Sequence, residues 1–316
     1  MAVKRKILIL LCALLSGVLL VLLAGTVYVN RMLGLIGREE GTLSPESVAP
    51  GNSPEDISVP PAQAVQTEGI LNILLIGQDR RGSTGRSLSD AMILCTLNRK
   101  TGVLTMTSFL RDSYVRIPGH GSNKLNAAYP LGGMALLDAT LEENFGVTVD
   151  GNVEVDFSQF QDIIDLLGGV EITLTDAEAR HLAHEYGFEL REGKNLLNGE
   201  QALGYARIRK LGTDFARTDR QRKVLMALIG QFRQAGIRKL HKVARQLLGL
   251  VTTDLSNGEI LRLAAELAPL LGDLEIRSQH IPAEGTYSFG DAGKITSCIF
   301  LDFEANRALL RQTLQD

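Results

Sequence analysis

The sequence predicts an α/β protein: a single α/β/α domain with a central mixed sheet, preceded by one N-terminal transmembrane helix. Three observations carry that reading. Short apolar runs of strand length alternate with segments of helical period, the pattern of a sheet covered on both faces. The uncharged run over residues 7–29 would be roughly 35 Å long as a helix, enough to cross a hydrocarbon core of about 30 Å. Between the two lies a segment that holds five of the nine prolines together with many Ser, Gly and Glu, too polar to build a core.

The N-terminal run is bracketed unevenly. Lys4, Arg5 and Lys6 precede it, whereas Arg31 and Arg38 follow more sparsely. The denser positive side stays in the cytoplasm, which puts the bulk of the chain outside the cell membrane. A cleaved signal peptide has an apolar core of only about 7–15 residues, so the run is read as an uncleaved, single-pass signal anchor. The predicted organisation is then a cytoplasmic N-terminus (1–6), the anchor (7–29), an extracellular linker (30–69) and one folded domain (70–316). The net charge of −3 argues against a general nucleic-acid binder. The six or so residues before the anchor are too few to contact DNA in the cytoplasm. Cys12 falls in the anchor. Cys95 and Cys298 lie in apolar stretches and could form one disulfide or remain two buried thiols in adjacent strands; neither has metal-ligand spacing.

Within the domain, 70–76, 91–97 and 103–109 read as buried strands and 133–144 as a helix. Strand 153–155, helix 157–167 and strand 170–174 follow. A helix over 176–186 is capped by Thr175 or Asp176. Helices are predicted over 199–207, from near Asp219 past Met226, and over 259–271. Strands near 275–281 and 296–301 and a helix from Phe303 complete the chain.

Four blocks could carry chemistry. In GQDRRGSTGRSLSD, Asp79 ends the first strand and Asp90 opens the next, so antiparallel pairing would bring two carboxylates to one sheet edge; Arg81 and Arg86 add cations. Two hard oxygen ligands plus phosphate oxygens is how Mg²⁺ is commonly held. The loop has P-loop spacing but lacks the lysine, and GRSLS lacks the final glycine of a nucleophile elbow. SFLRD delivers Arg111 and Asp112 to the end of the third strand. KLNAAYPLGG could present backbone N–H groups to an anion. The densest block, LNGEQALGYARIRKLGTDFARTDRQ, gathers Arg207, Arg209, Lys210, Asp214, Arg217, Asp219 and Arg220. Arginine dominates it, and a planar guanidinium grips phosphate oxygens two at a time. His181, His184 and Glu185 match neither zinc-protease spacing and read as an exposed helix face. The apolar segments VLMALIG and LLGLV suit the walls of a lipid groove or an ordinary core.

These blocks, in this order, resemble the LytR-CpsA-Psr family of cell-envelope proteins. The resemblance rests on ILLIGQDRR, Ser89-Asp90, SFLRD, KLNAAYPLGG, VDFSQFQDIIDLLGGV, LNGEQALGYARIR and DFARTDRQ, over about 70–225. Leu110 stands where the family has proline, the 79–90 loop is about two residues longer than in many relatives, and the segment from Arg209 to Asp214 is short. The resemblance implies a groove for a polyprenyl chain. It also implies a phosphotransferase that moves a glycopolymer, such as teichoic acid or capsule, from an undecaprenyl-pyrophosphate carrier to a peptidoglycan acceptor. It assigns Asp79 and Asp90 to Mg²⁺, with Mn²⁺ as an alternative ion. Arg81, Arg111, Arg207 and Arg217 match the pyrophosphate-binding arginines, and Arg209, Arg220 and Gln221 match neighbouring motif positions. Asp90 and Asp112 are the carboxylates considered for taking the acceptor proton, with Arg111 and Arg207 stabilising the transferring phosphate. A pyrophosphatase using water as acceptor, or a non-enzymatic lipid-glycan binding module, would use the same residues.

Overall fold

The computed structural model describes residues 26–39, 57–62, 68–80, 86–234, 245–267, 269–270, 272 and 274–315. Most of the expected anchor lies outside them, as does Arg81; residues 26–33 are helical. No helix among the described residues is long and apolar enough to cross a membrane.

In chain order, β1 (Gly37–Arg38) is followed by β2 (Ile70–Gln78), β3 (Ser89–Asn98), β4 (Val103–Phe109), β5 (Tyr114–Ile117) and β6 (Gly121–Lys124). Next come α1 (Ala128–Phe145), β7 (Gly151–Asp156), α2 (Phe157–Leu167), β8 (Val170–Leu174), α3 (Asp176–Tyr186), β9 (Gly193–Leu197) and α4 (Gly199–Ala206). The remainder is α5 (Asp214–Gln234), β10 (Thr252–Thr253), α6 (Asn257–Leu267), β11 (Glu275–Ile281), β12 (Tyr287–Ala292), β13 (Ile295–Leu301) and α7 (Phe303–Gln315).

The central sheet is mixed, as expected, in the order β1-β10-β7-β2-β3-β4-β11. Strand alternation decides its layering. Leu74 and Ile76 of β2 join Met92, Leu94 and Phe109 in a core closed by α1 and α7. Leu71 and Ile73 face the other way and pack with Leu255 and Leu263 of the α6 region. Beyond α2, a satellite core built by β8, α3, β9, α4 and α5 centres on Leu182, Leu197, Ala202 and Tyr205. Three reciprocal capping boxes fix the helix starts in this part: Asp156 with Gln159, Thr175 with Glu178, and Asn198 with Gln201.

Several boundaries differ from expectation. α5 begins at Asp214 rather than near Asp219. The β5–β6 hairpin, β9 and β12 are too short to show a strand period in sequence; pairing defines them, and Val115 and Ile117 of β5 and Leu197 of β9 anchor them in the cores. The described parts of the predicted linker are docked. β1 pairs in parallel with β10, Ile57 and Val59 pack on the main core, and Arg307 Nη2 donates to the Pro60 carbonyl at 2.7 Å. Cys95 and Cys298 are both free thiols, and β3 and β13 belong to different sheets, so they are not in adjacent strands.

A small acidic cluster ties α1 to this end of the sheet. Asn152 Nδ2 donates to Asp138 Oδ2 and Asp254 Oδ2, both at 2.7 Å. Burial, reinforced by the charges of Asp254, Glu39 and Glu142 and only partly offset by the Asn152 hydrogen bond, pushes the Asp138 carboxyl up to about 7. The folded protein therefore keeps a proton that the unfolded chain has lost, and this site's contribution weakens as pH rises from the ordinary carboxylate range through about 7. Asp138→Asn is expected to raise stability by roughly 1 kcal/mol at pH 8 and to change little at pH 4. Thermal melts at the two pH values check this; equal shifts at both would refute the assignment.

Candidate functional site

The strand directions bring the charged blocks together. β2 runs antiparallel to β3 and parallel to β7, with Gln78 opposite both Ser89 and Asp156. β4 runs antiparallel to β3 and ends beside the start of that strand. Asp79, Asp90, Arg111 and Phe157 therefore leave the sheet at a single edge. The buried Gln78 pins the returning loop: its Oε1 accepts from Ser87 N at 2.9 Å and its Nε2 donates to Glu154 at 2.5 Å. Glu154 in turn pairs with Arg80 at 3.0 Å.

Above this edge lies an open cleft of about 810 Å³, lined by Asp79, Arg86, Asp90, Arg111, Arg207, Arg209, Lys210, Arg217 and Gln221, with Phe157, His181, Glu185 and Tyr186 among its remaining walls. Its cations are held by interleaved carboxylates. Arg111 Nη1 bonds Asp90 Oδ1, and its Nε lies 3.6 Å from Asp112. Arg207 Nη2 is 3.8 Å from Asp79, Arg209 Nη2 is 4.0 Å from Asp90, and Arg217 Nη2 is 2.9 Å from Asp214. Burial disfavours the charge on Arg111, but Asp90, Asp214 and Asp112 outweigh it and raise its pKa. For Arg217, burial prevails with help from Arg111 and Arg209, and its pKa is lowered. Burial raises the Asp214 carboxyl.

A second cavity of about 360 Å³ opens from the same place and runs between the sheet and the helices. Leu75, Ile93, Val153 and Val155 form its floor; Phe160, Ile163, Leu225, Leu228 and Phe232 form its walls. Phe157, Arg207 and Gln221 line both cavities. Arg207 sits over the Phe157 ring at 4.9 Å, a cation–π contact at the junction. Gln221 Oε1 is buried there with no hydrogen-bond partner among the described residues. A cationic cleft joined to an apolar tunnel fits a ligand with a polyanionic head and a long hydrocarbon tail.

Known proteins resemble this chain over most of its length. The LytR_cpsA_psr family profile matches residues 38–297. The chain belongs to the LytR-CpsA-Psr family. It is 31% identical over 258 residues to the "Regulatory protein MsrR" of Staphylococcus aureus, covering 80% of this chain and 76% of that one. It is 34% identical over 266 residues to the "Polyisoprenyl-teichoic acid--peptidoglycan teichoic acid transferase TagU" of Oceanobacillus iheyensis, covering 80% of each. Its fold is similar to that of a solved LytR-CPS2A-psr family protein, YwtF (TagT), with bound octaprenyl pyrophosphate lipid. That match has a TM-score of 0.61 and 26% identity and covers 85% of this chain and 98% of that one.

Not every residue singled out in this LytR-CpsA-Psr chain reaches the cleft. Asp79, Asp90, Arg111, Arg207, Arg209, Arg217 and Gln221 line it. Asp112 stands behind Arg111, held by Lys124 Nζ at 2.8 Å. Arg220 turns away: its Nε donates to Glu178 at 2.8 Å, and its other nitrogens donate to the carbonyls of Ile208 and Leu211. It thereby clamps the 208–211 segment that carries Arg209 and Lys210. Asp219 also faces elsewhere, toward Arg222 and Lys223.

Other residues escaped the sequence reading. His181 and Glu185, read as a solvated helix face, line the cleft, and Glu185 pairs with Lys210 at 2.6 Å. Glu39, placed in the linker by its sequence, accepts from Tyr129 Oη at 3.0 Å and Met134 N at 3.1 Å and pairs with Arg86 at 2.9 Å. Gly133 makes room for it with φ +67°, where an added Cβ would lie 2.0 Å from Glu39 Oε1. No sequence signal joins residues so far apart.

Arg220→Ala would strand the Glu178 carboxylate in a buried position and is expected to cost about 3 kcal/mol of stability. A denaturant titration measures the loss. An unchanged unfolding midpoint would return Arg220 to the set of headgroup-binding arginines.

Proposed function

We propose that this protein is a phosphotransferase that moves a glycopolymer from a polyprenyl-pyrophosphate carrier onto a cell-wall acceptor, peptidoglycan. The observation that carries the proposal is the junction at Phe157, Arg207 and Gln221, where an arginine-lined cleft continues into an apolar tunnel. A pyrophosphate sits where the guanidiniums converge and the prenyl tail fills the tunnel. The octaprenyl pyrophosphate bound to YwtF (TagT) has this two-part chemistry, and the name of TagU specifies a polyisoprenyl-linked donor. The run over 7–29, with Lys4, Arg5 and Lys6 before it, supports a single-pass anchor with the domain outside the cell.

Phosphoryl transfer asks the protein chiefly for positioning and charge neutralisation. Arg111, Arg207, Arg209 and Arg217 would hold the pyrophosphate oxygens. An acceptor hydroxyl attacks the phosphorus that bears the glycan. The bond from that phosphorus to the bridging oxygen breaks, and polyprenyl phosphate leaves. The hydroxyl proton passes to a carboxylate; both candidates are paired with cations, Asp90 with Arg111 and Arg209 and Asp112 with Lys124 and Arg111, but only Asp90 lines the cleft. Asp79 and Asp90 are hard oxygen donors on a shared wall, and no group of three or more His, Cys, Asp or Glu suited to a metal occurs among the described residues. That donor set fits Mg²⁺ completing its shell with pyrophosphate oxygens and water, or Mn²⁺ in its place. A divalent ion there would offset the charge that grows on the leaving phosphate.

Arg207→Ala and Asp79→Asn are expected to lower glycan transfer by a hundredfold or more, on the order of 3 kcal/mol, with the domain still folded. Released polyprenyl phosphate and acceptor-bound glycan, assayed together with and without peptidoglycan and divalent ion, make the check. Wild-type rates in either variant would remove the residue from the site. Release independent of acceptor would mark a hydrolase, and binding without turnover a lipid-glycan binding module.

A further inference from the structure

The segment that follows the expected anchor is built into the substrate site. Val29 ends the apolar run, and Leu33 and Ile36 are already buried. β1 then pairs with β10: Gly37 N donates to the Val251 carbonyl at 3.0 Å, and Glu39 N donates to the Thr253 carbonyl at 3.1 Å. Val251 lines the apolar tunnel. One residue beyond β1, the Glu39 side chain reaches the back of the headgroup cleft.

Its carboxylate fills a place shaped for an anion. α1 breaks at Gly132 (φ −150°, ψ 18°) and Gly133 (φ +67°, ψ −155°) and resumes at Met134. A helix restart leaves N–H groups without helical carbonyls. That of Met134 donates to Glu39 Oε1 at 3.1 Å, and Tyr129 Oη donates to Oε2 at 3.0 Å. A Cβ at Gly133 would lie 2.0 Å from Glu39 Oε1 and 2.8 Å from Arg86 Nη2. The anion that the glycine pair receives is therefore a side chain of the protein itself.

Arg86 lines the cleft, and Glu39 stands behind it. Arg86 Nη2 lies 2.9 Å from Glu39 Oε1; the arginine side chain is 42% exposed and the glutamate 13%. An ion pair between two mobile side chains contributes little. Here the carboxylate is already fixed by two hydrogen bonds, so the pair fixes the arginine. The backbone beside Arg86 is pinned as well, because Ser87 N donates to Gln78 Oε1. A guanidinium carries five N–H donors, so an arm steadied by one carboxylate can still grip an oxyanion from its cleft side.

We infer that Glu39 is a positioning residue for the donor: it holds Arg86 in the cleft as a further guanidinium for the pyrophosphate oxygens. The inference rests on the transferase reading above. Arg86 comes from the same loop as Asp79 and Asp90, on the side of the cleft that Pro130 completes. The carboxylate that sets it lies ten positions past the apolar run, so the chain between membrane and domain is a working part of the site.

The test uses the full chain in detergent with a lipid-linked donor. Arg86→Ala and Glu39→Ala are each expected to raise the donor KM about tenfold and to change kcat by less than about twofold. Because Glu39 acts through Arg86, losing it in the Arg86→Ala background should cost nothing more. Glu39→Gln keeps an acceptor for Met134 N and a partner for Tyr129 Oη but loses the charge that faces Arg86. It is expected to fold as the wild type does and to raise the donor KM about threefold, so it carries the same comparison should Glu39→Ala fail to fold. A wild-type donor KM in Glu39→Gln, or losses that multiply when both residues are changed, overturns the positioning role. If the wild type transfers nothing, the transferase reading fails. Calorimetric binding of octaprenyl pyrophosphate to the same variants, with the same factors expected in Kd, then decides the role of Glu39.

Discussion

Like charges crowded at one sheet edge repel, and the cleft exists because carboxylates are set between its guanidiniums. Two unit charges about 4 Å apart near a protein surface interact by about 4 kcal/mol. Arg111, Arg207, Arg209 and Arg217 could not share one wall without compensation. Asp90 serves both Arg111 and Arg209, Asp79 serves Arg207, and Asp214 serves Arg217. The most buried cation, Arg217, is the one whose charge is disfavoured despite its partner. The arginines are thus oriented in advance, so an anion that binds there need not order them first.

Much of this was legible in the sequence, and the limits have physical causes. ILLIGQD and SFLRD announce strand ends, and antiparallel pairing does the rest, so Asp79, Asp90 and Arg111 were within reach of pattern reasoning. Arg220 was not separable from Arg217. With the helix begun near Asp219, Arg217 falls in a loop; with α5 begun at Asp214, both are helical and Arg220 points about 60° away, toward Glu178. The HLAHE segment looked solvated because its partner, Lys210, lies 25 positions along the chain. Glu39 was hidden by composition: a Pro-rich neighbourhood reads as tether, although β10, which receives β1, is itself only two residues long.

α5 explains why the densest cluster of charge in the chain is not one site. A helix that packs on a sheet usually keeps one apolar face and one solvated face. Here the first turns are polar almost all round, and each sector meets a different surface. Arg217 and Gln221 meet the cleft, Arg220 meets the satellite core, and Phe215 and Arg222 meet a separate groove beside β11. One turn later, Leu225 and Leu228 take over the cleft-facing sector and the wall becomes hydrocarbon. The change from headgroup to tail chemistry is therefore written along the helix axis, and the change from the cleft to the groove is written around it.

The tunnel sets the strongest constraint on what that wall is for. An open apolar cavity of about 360 Å³ leaves its lining without the contacts that a packed core would supply, which is a cost to the folded state. Water does not relieve the cost, because the lining is almost wholly aliphatic and aromatic and offers few hydrogen-bond partners. The sequence nonetheless keeps the mouth open with small residues. Gly77 faces Ala91 across β2 and β3, and even a Cβ at Gly77 would come within 3.2 Å of the Ala91 methyl. Larger side chains at those two positions would fill the space as an ordinary core does. A fold that leaves this volume unfilled beside an arginine cleft is matched to a hydrocarbon chain, and the shared wall of Phe157, Arg207 and Gln221 fixes which end of that chain carries the charge.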